Sequence, residues 1–454
     1  MKTELLVIGS GPGGYAAAFR AADLGLNVVL VDKRDSIGGV CLNEGCIPSK
    51  ALLHVAEVIR EAKHASELGI TFSEPEIDLD KVRAHKDSLV GKLTGGLGGI
   101  ARRRKVTVHQ GEARFTGPNS VSVEGETIDF DHVIIAVGST PVSLPNWPVD
   151  ARIWDSTRAL ELPEIPQRLT IVGAGIIGLE MATLYAALGS KVTLVELADT
   201  MLPDADAESA KVLHKAMVQQ GCEFHFGTAV VDIETSSAGI RLTTSKDTTI
   251  EADIVISAVG RRSNAGKVNI EAAGLTLSRG DIIDVDAQSR TTVKHIFAIG
   301  DVTGMPMLAH RATHQGKIAA EVIAGHKVQL DTKLIPSVAY TSPEFAWIGF
   351  SVEAAKAAGY QAKSSSFPWL ASGRNLASGG QDGLTKLVYD EPTGRILGGS
   401  LVGKNAGELL AEVTLAIEMG ATLEDLALTI HAHPTLSETI AFAAERALGS
   451  LTDL

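Results

Sequence analysis

The sequence predicts an α/β protein in which one parallel strand–helix–strand fold occurs twice, followed by a separate α+β unit. Three observations carry this prediction. A short apolar run, Leu5 to Ile8, enters Gly9-x-Gly11-x-x-Gly14 and then a helical stretch. The same order returns at Leu169 to Val172, which enters Gly173-x-Gly175-x-x-Gly178. From about Pro336 onward no such glycine pattern occurs, and strand and helix periodicities mix. The length agrees, since 454 residues correspond to about two to four domains.

In the first copy the run Leu5 to Ile8 is continuous and apolar, as a parallel strand buried on both faces requires. A helix is expected over Tyr15 to Leu24, and a second strand over Val28 to Val31, ending at Asp32. In the second copy the helix runs through Leu188 and the strand Val192 to Val195 ends at Glu196. Each acid lies 18 residues beyond the third glycine of its copy. One glycine turn alone is a weak signal, but two with the same flanking elements and the same acid spacing are specific. The glycines permit a tight turn and close approach of a pyrophosphate, the helix N-terminus offers N–H donors, and the acid takes ribose hydroxyls. Two Rossmann-like dinucleotide-binding domains follow. Gly9, Gly11, Gly14 and Asp32 are candidates for one nucleotide, and Gly173, Gly175, Gly178 and Glu196 for the other. After Glu196 comes Leu197-Ala198-Asp199, with no arginine for a 2′-phosphate, so NAD is expected there rather than NADP.

Composition removes several classes of function. Hydrophobic residues at 45% and charged residues at 21% describe an ordinary globular chain. A net charge of −13 with only 4% aromatics argues against a nucleic-acid partner. Three cysteines are too few for a secreted disulfide scaffold. The apolar start breaks at once into the glycine loop, and no uncharged run reaches the roughly 18 residues that span a bilayer. No membrane association is expected, and a cytoplasmic location is.

Between the first copy and the next helix stands Gly38-Gly39-Val40-Cys41-Leu42-Asn43-Glu44-Gly45-Cys46-Ile47-Pro48-Ser49-Lys50. Cysteines five apart on a regular helix would have Cα atoms about 8–9 Å apart. A disulfide needs less than about 7 Å, so the helix must break if they bond. Two unrelated buried thiols or a metal site are the rival readings. No further cysteine or spaced histidine pair lies nearby, and no metal is expected. Beside two dinucleotide sites, a redox disulfide is favoured.

The run Thr291 to Ile299 reads as a strand ending in Gly300-Asp301, and it resembles the second FAD fingerprint of two-dinucleotide flavoproteins. With the cysteine motif, the whole chain resembles the flavin-dependent pyridine nucleotide–disulfide oxidoreductases, most closely those acting on dihydrolipoamide. The resemblance implies FAD on the first fold and NAD on the second. Cys41 then exchanges with the dithiol substrate and Cys46 lies against the flavin. Lys50 stands beside the flavin and pairs with Glu180. In His431-Ala432-His433-Pro434, His433 is the base, and Glu438 orients it. Further FAD contacts are expected at Lys50, Ala113, Gly138, Ser139, Asp301 and Ala309, and further NAD contacts at Ile177, Val230 and Gly260. His310 and His314 are assigned to packing and cofactor contact.

The implied reaction reoxidises protein-bound dihydrolipoamide of 2-oxo-acid dehydrogenase or glycine cleavage complexes. Electrons pass through the Cys41–Cys46 disulfide and FAD to NAD⁺, giving lipoamide and NADH. The implied partners are a second copy of the chain, whose His433 crosses the two-fold axis, and a lipoyl-bearing acyltransferase or carrier protein. A glutathione-type reductase is the alternative, disfavoured by the NAD-type acid. A mercuric-type enzyme would need cysteines after Cys222, and none follows. Asp32 stands where the family usually has glutamate, and Val40 and Val137 where it usually has threonine.

The exits Ile134 to Ser139 and Ala258 to Arg261 place the domains: FAD-binding over 1–142, NAD-binding over 143–262, a central segment completing the FAD site over 263–335, and a dimerisation domain over 336–454. On composition alone Gly91 to Gly99 reads as a linker. Thr435-x-x-Glu438 reads as a capping box opening the helix Ile440 to Leu448.

Overall fold

The computed structural model describes residues 1–331, 334–380 and 382–452. The chain opens with β1 (Lys2–Ile8), α1 (Pro12–Asp23), β2 (Val28–Asp32), α2 (Gly39–Asn43), α3 (Cys46–His64) and α4 (Leu79–Arg103). Strands β3 (Thr107–Gln110), β4 (Ala113–Gly117), β5 (Ser120–Val123) and β6 (Glu126–Ile135) complete a sheet of order β3-β2-β1-β6-β5-β4. β1 pairs in parallel with β2 and β6, Leu6 facing Val29 and Val133. Leu5, Leu6 and Val7 are wholly buried, which is why that run carries no polar alternation. The strand order reverses beside β1, so a crevice opens at its C-terminal end, where the first glycine loop lies.

Two expectations need correction here. α1 begins three residues before Tyr15, because Pro12 occupies an early helical position where its missing N–H costs nothing. The stretch Gly91 to Gly99 is not a linker but the interior of the 25-residue α4. Leu97 and Ile100 pack on the core and hold that helix in place. A side chain at Gly91 would meet nothing within 4 Å. Glycine in a helix interior costs about 1 kcal/mol relative to alanine. Gly91→Ala should therefore stabilise the protein by about 0.5–1 kcal/mol, read as a higher urea midpoint. A lower midpoint would mean that another surface packs closely on that glycine.

After β7 (Ser139–Pro141) come β8 (Ile153–Trp154), α5 (Ser156–Glu161), β9 (Arg168–Val172), α6 (Ile176–Leu188), β10 (Lys191–Val195), α7 (Ala207–Gln219) and β11 (Glu223–His225). An antiparallel ribbon of β12 (Val230–Ser236), β13 (Gly239–Thr244) and β14 (Thr249–Ala252) precedes β15 (Ile254–Ser257). The second sheet, β11-β10-β9-β15-β8, is parallel throughout. It repeats the first arrangement, with the glycine-bearing strand between its partner and the returning strand. β16 (Arg261–Ser263) pairs antiparallel with β7, and β17 (Ile296–Ala298) joins β6 in the first sheet. That last strand is shorter than expected. The Thr291 hydroxyl donates to the carbonyls of Val293 and Ile296 and folds the preceding residues into a turn. α8 (Ala309–Ile323) then crosses α1 closely, since a Cβ on Gly316 would stand 2.4 Å from the Gly13 carbonyl oxygen.

The last unit contains β18 (Ser337–Ala339), β19 (Glu344–Gly349), α9 (Val352–Ala357), β20 (Ala362–Pro368), α10 (Gly373–Ala377), β21 (Leu384–Asp390), β22 (Ile396–Gly403), α11 (Ala406–Glu418), α12 (Leu423–Leu428) and α13 (Glu438–Leu448). Its sheet is antiparallel, in the order β18-β19-β22-β21-β20. Leu387, Leu401, Val413 and Ile440 form part of the core between sheet and helices. The capping box expected at Thr435 is half formed. Its N–H donates to Glu438 Oε2 at 2.7 Å, but its hydroxyl donates to the Ala432 carbonyl, and α13 starts at Glu438 itself. Among the described residues no helix is long and apolar enough to cross a membrane.

Candidate active site

Both glycine loops open on a single cavity of about 1430 Å³, which also takes in Cys41, Cys46, Lys50, Glu180 and Asp301. That exceeds the usual 300–1,000 Å³ of a one-ligand pocket and suits two large ligands meeting end to end. The three glycines of each loop have different physical reasons. A Cβ on Gly9 would lie 2.3 Å from the Ala136 oxygen, and one on Gly14 would lie 1.8 Å from the Gly9 oxygen. Gly173 and Gly178 repeat these clashes at 2.4 and 2.0 Å, against Ala258 and Gly173. The middle glycines, Gly11 and Gly175, meet nothing within 4 Å, and both line the cavity. Side chains there would fill the space in front of a helix N-terminus, where a pyrophosphate fits. The residues present therefore suit two dinucleotides.

The two acids are built alike. Asp32 accepts from the Ser10 N–H at 2.6 Å and from the Arg34 N–H at 2.9 Å. Glu196 accepts from the Ala174 N–H at 2.6 Å and from the Ala198 N–H at 2.8 Å. Each carboxylate ties its strand end to its own glycine loop and keeps lone pairs for a ribose. Ile177 and Gly260 line the cavity, as do Gly138, Ser139 and Ala309. Ala113 and Val230, expected as contacts, do not: Ala113 is buried in the first core, and Val230 packs beside the second sheet. Gly173, Gly178 and Glu196 act from behind the lining.

The helix does break between the cysteines. α2 ends at Asn43 and α3 begins at Cys46, with Gly45 at φ −133° between them. Gly39 has φ +58°, and a Cβ there would stand 2.5 Å from the Gly11 Cα, so the redox loop is packed directly on the nucleotide loop. Both cysteines are free thiols, hydrogen-bonded to each other. That bond and burial hold the Cys41 thiol well above its ordinary range. Cys46, receiving the same hydrogen bond and facing Lys50, is drawn down to about 7 against the opposing effect of burial. Cys46 opens to the cavity, yet the surrounding protein still desolvates it. Cys222 is buried elsewhere, in the second core, and pushed up to about 11 by that burial.

Glu180 is the only charged residue of α6, a helix that is otherwise almost wholly apolar. A buried carboxylate needs a partner. Lys50 supplies it, with Nζ 2.8 Å from Oε1 and 3.0 Å from Oε2, and the Ser49 hydroxyl donates to Oε2 at 2.7 Å. Elsewhere in the cavity lining Ser139 donates to Asp301, and the Arg261 guanidinium donates to both the hydroxyl and the carbonyl of Ser139. Sequence reasoning missed Ser49, Arg261 and Tyr340. It also missed the Arg34–Glu44 pair, in which Arg34 Nη2 stands 2.9 Å from both Glu44 oxygens and pins the intercysteine loop. His310 lines the cavity and bonds the Pro336 carbonyl at 2.8 Å, whereas His314 stands outside that lining.

His433 is not brought to the cysteines of its own chain. Its side chain is 81% exposed and outside the cavity lining, with Nδ1 2.8 Å from Glu438 Oε1. Burial pushes the Glu438 carboxyl up, but the Thr435 N–H and His433 together bring it below its usual range. His431 is the satisfied neighbour, 2.6 Å from Glu412 and 2.9 Å from the Thr429 carbonyl. Among the described residues no cluster of histidine, cysteine and carboxylate side chains could hold a metal.

The sequence pattern of the pyridine nucleotide-disulphide oxidoreductases matches residues 3–316, and that of their dimerisation domain matches residues 335–444. The chain belongs to this family. Two dihydrolipoyl dehydrogenases are similar to it from end to end. That of Vibrio parahaemolyticus is 52% identical, and that of Haemophilus influenzae 51%, each alignment covering 100% of this chain and 97% of the relative. Among solved structures, LpdA from Mycobacterium tuberculosis superposes with a TM-score of 0.91 at 28% identity, covering 98% of this chain and 99% of its own. The HOCl-induced flavoprotein disulfide reductase RclA from Escherichia coli gives 0.89 at 26%, covering 97% and 99%. Within the pyridine nucleotide-disulphide oxidoreductases, the α/β units, the cysteine loop and the last antiparallel sheet have natural places.

Proposed function

We propose that this chain reoxidises protein-bound dihydrolipoamide with NAD⁺, giving lipoamide and NADH, as a cytoplasmic homodimer. The observation that carries the reading is the Cys41–Cys46 pair, held across a broken helix on a glycine loop and facing Lys50–Glu180. FAD and NAD are its cofactors, FAD on the loop of Gly9, Gly11 and Gly14 with Asp32, NAD on that of Gly173, Gly175 and Gly178 with Glu196. Residues 1–142 and 263–335 form the FAD-binding unit, 143–262 the NAD-binding unit and 336–454 the dimerisation unit. When bound, FAD supplies a two-electron relay between dithiol and nicotinamide.

The protein's own residues divide the dithiol chemistry. A substrate thiolate attacks Cys41 Sγ of the oxidised pair, and the Cys41–Cys46 bond breaks with its electrons on Cys46. Cys46 is the better leaving group because the Lys50 charge stabilises its thiolate, and once Cys41 is released its thiol can donate to that thiolate. The second substrate thiol then attacks the first substrate sulfur and releases Cys41. His433 of the partner subunit takes the substrate proton, and Glu438 beside it holds the imidazole tautomer. Cys41, raised by its surroundings, leaves as the protonated thiol.

Coenzyme selectivity tests the reading on the second fold. Glu196 at the strand end, followed by Leu197-Ala198-Asp199 without an arginine, means that kcat/KM for NAD⁺ should exceed that for NADP⁺ by roughly 10²-fold or more. Equal values, or a preference for NADP⁺ with glutathione as substrate, would favour the glutathione-type alternative. Pull-down of lipoyl-bearing acyltransferase or glycine cleavage carrier protein by the tagged enzyme checks the partner.

A further inference from the structure

Lys50 meets two groups, Glu180 and Tyr340, and the second comes from the dimerisation unit. Tyr340 immediately follows β18, and its ring lies under the ammonium, with Nζ 4.3 Å from the ring centroid. The Tyr340 N–H also donates to Glu180 Oε1 at 3.2 Å, so one residue touches both members of the ion pair. Lys50 stands four residues after Cys46 on α3, on the same helix face. It borders the large cavity and is about one-third exposed, so its long side chain is free to swing unless something holds it. A ring face attracts a cation even where water reaches the pair, and Tyr340 is 37% exposed.

We propose that Tyr340 is a positioning residue of the redox centre, its ring holding the Lys50 ammonium against Glu180 and within reach of the Cys46 thiolate. The dimerisation unit thereby takes part in the electrostatics of a cysteine in the first unit. The groups facing Cys46 are Cys41 from α2, Lys50 from α3, Glu180 from α6, Tyr15 from α1, Arg261 from β16 and Tyr340. Asp301 acts on the adjoining Cys41, and Glu344 on β19 lies near enough to feel Lys50. Of these, Lys50 is the cation that Glu180 and the Tyr340 ring hold between them.

The proposal rests on the redox-pair reading, and its test separates the two. FAD-loaded protein is reduced anaerobically with dithiothreitol, freed of it by gel filtration, and alkylated with iodoacetamide across a pH series. Cys46 modification is counted by peptide mass. In Tyr340→Leu the midpoint for Cys46 should rise by about half to one pH unit, and Tyr340→Met, which keeps side-chain length, should behave alike. Tyr340→Phe, keeping the ring, should restore the wild-type midpoint. In a Lys50→Met background, Tyr340→Leu should shift nothing further. An unshifted midpoint in the Leu and Met variants overturns the proposal, as does an equal shift in the Phe variant or a full shift without Lys50. Loss of FAD or of folding in both the Leu and Met variants overturns it too, by showing a structural role. If wild-type Cys46 shows no titration below that of an ordinary thiol, the redox-pair reading itself fails.

Discussion

Cys46→Ser should abolish oxidation of dihydrolipoamide, by at least about 10³-fold in kcat, while FAD content and thermal stability stay near wild type. The reason is stoichiometric. With only Cys41 left no internal disulfide exists, so an attacking thiolate finds no S–S bond to break and no thiolate to expel. Serine approximates the size of the thiol, and Cys46 opens to the cavity, so little packing is lost. Cys41→Ser should fail equally, since Cys41 is the sulfur that substrate reaches. Transfer from NADH to a small artificial acceptor should survive both changes, because neither glycine loop is altered. Dithiol turnover that survived Cys46→Ser would put the chemistry outside the pair.

The second large effect is expected at a residue that is remote from the cysteines in its own chain. His433→Gln should lower kcat by about 10²–10⁴-fold, the usual contribution of a general base. Glu438→Gln should have a smaller effect, since it weakens the hydrogen bond at Nδ1 but leaves the ring. The segment that carries His433 also carries exposed apolar side chains. Ile430 is 98% exposed, and Met419, Leu428 and Leu415 are also largely exposed, all within the segment matched by the dimerisation domain. Exposed apolar side chains on a segment matched by a dimerisation domain call for a partner surface. Mixing Cys46→Ser with His433→Gln subunits under exchange should therefore regenerate activity. Random 1:1 pairing makes half the dimers mixed, each with one complete site of two, so about a quarter of wild-type activity should return. Verified exchange without recovery would mean that each chain uses its own His433.

What could be read in the sequence was whatever imposes a local backbone requirement. Gly9, Gly14, Gly173 and Gly178 are glycines because a Cβ would strike a neighbouring carbonyl oxygen or backbone, and that demand shows as spacing. Asp32 and Glu196 were legible for the same reason, each closing its own loop. Tyr340 left no such trace. It follows a three-residue strand, and its value comes from where β18 stands relative to α3 and α6, a tertiary fact without period or motif. Arg261 reaches Ser139 only because β16 folds back on β7. Gly91 to Gly99 reads as a linker on glycine content, whereas Leu97 and Ile100, one helical turn apart, pack one side of α4 on the core.

The central claim, that Cys41 and Cys46 pass electrons from a dithiol toward NAD⁺, is open to one direct measurement. FAD-loaded protein is incubated anaerobically, once with excess NAD⁺ and once with excess dihydrolipoamide, then quenched in acid, alkylated and digested for mass analysis. With NAD⁺ both cysteines should escape alkylation, their peptides linked or 2 Da lighter for the bond formed. With dihydrolipoamide both should be alkylated, while Cys222 gives the same result in the two samples. A cysteine pair whose state does not change between the two conditions, in enzyme that still makes NADH from dihydrolipoamide, would contradict the claim.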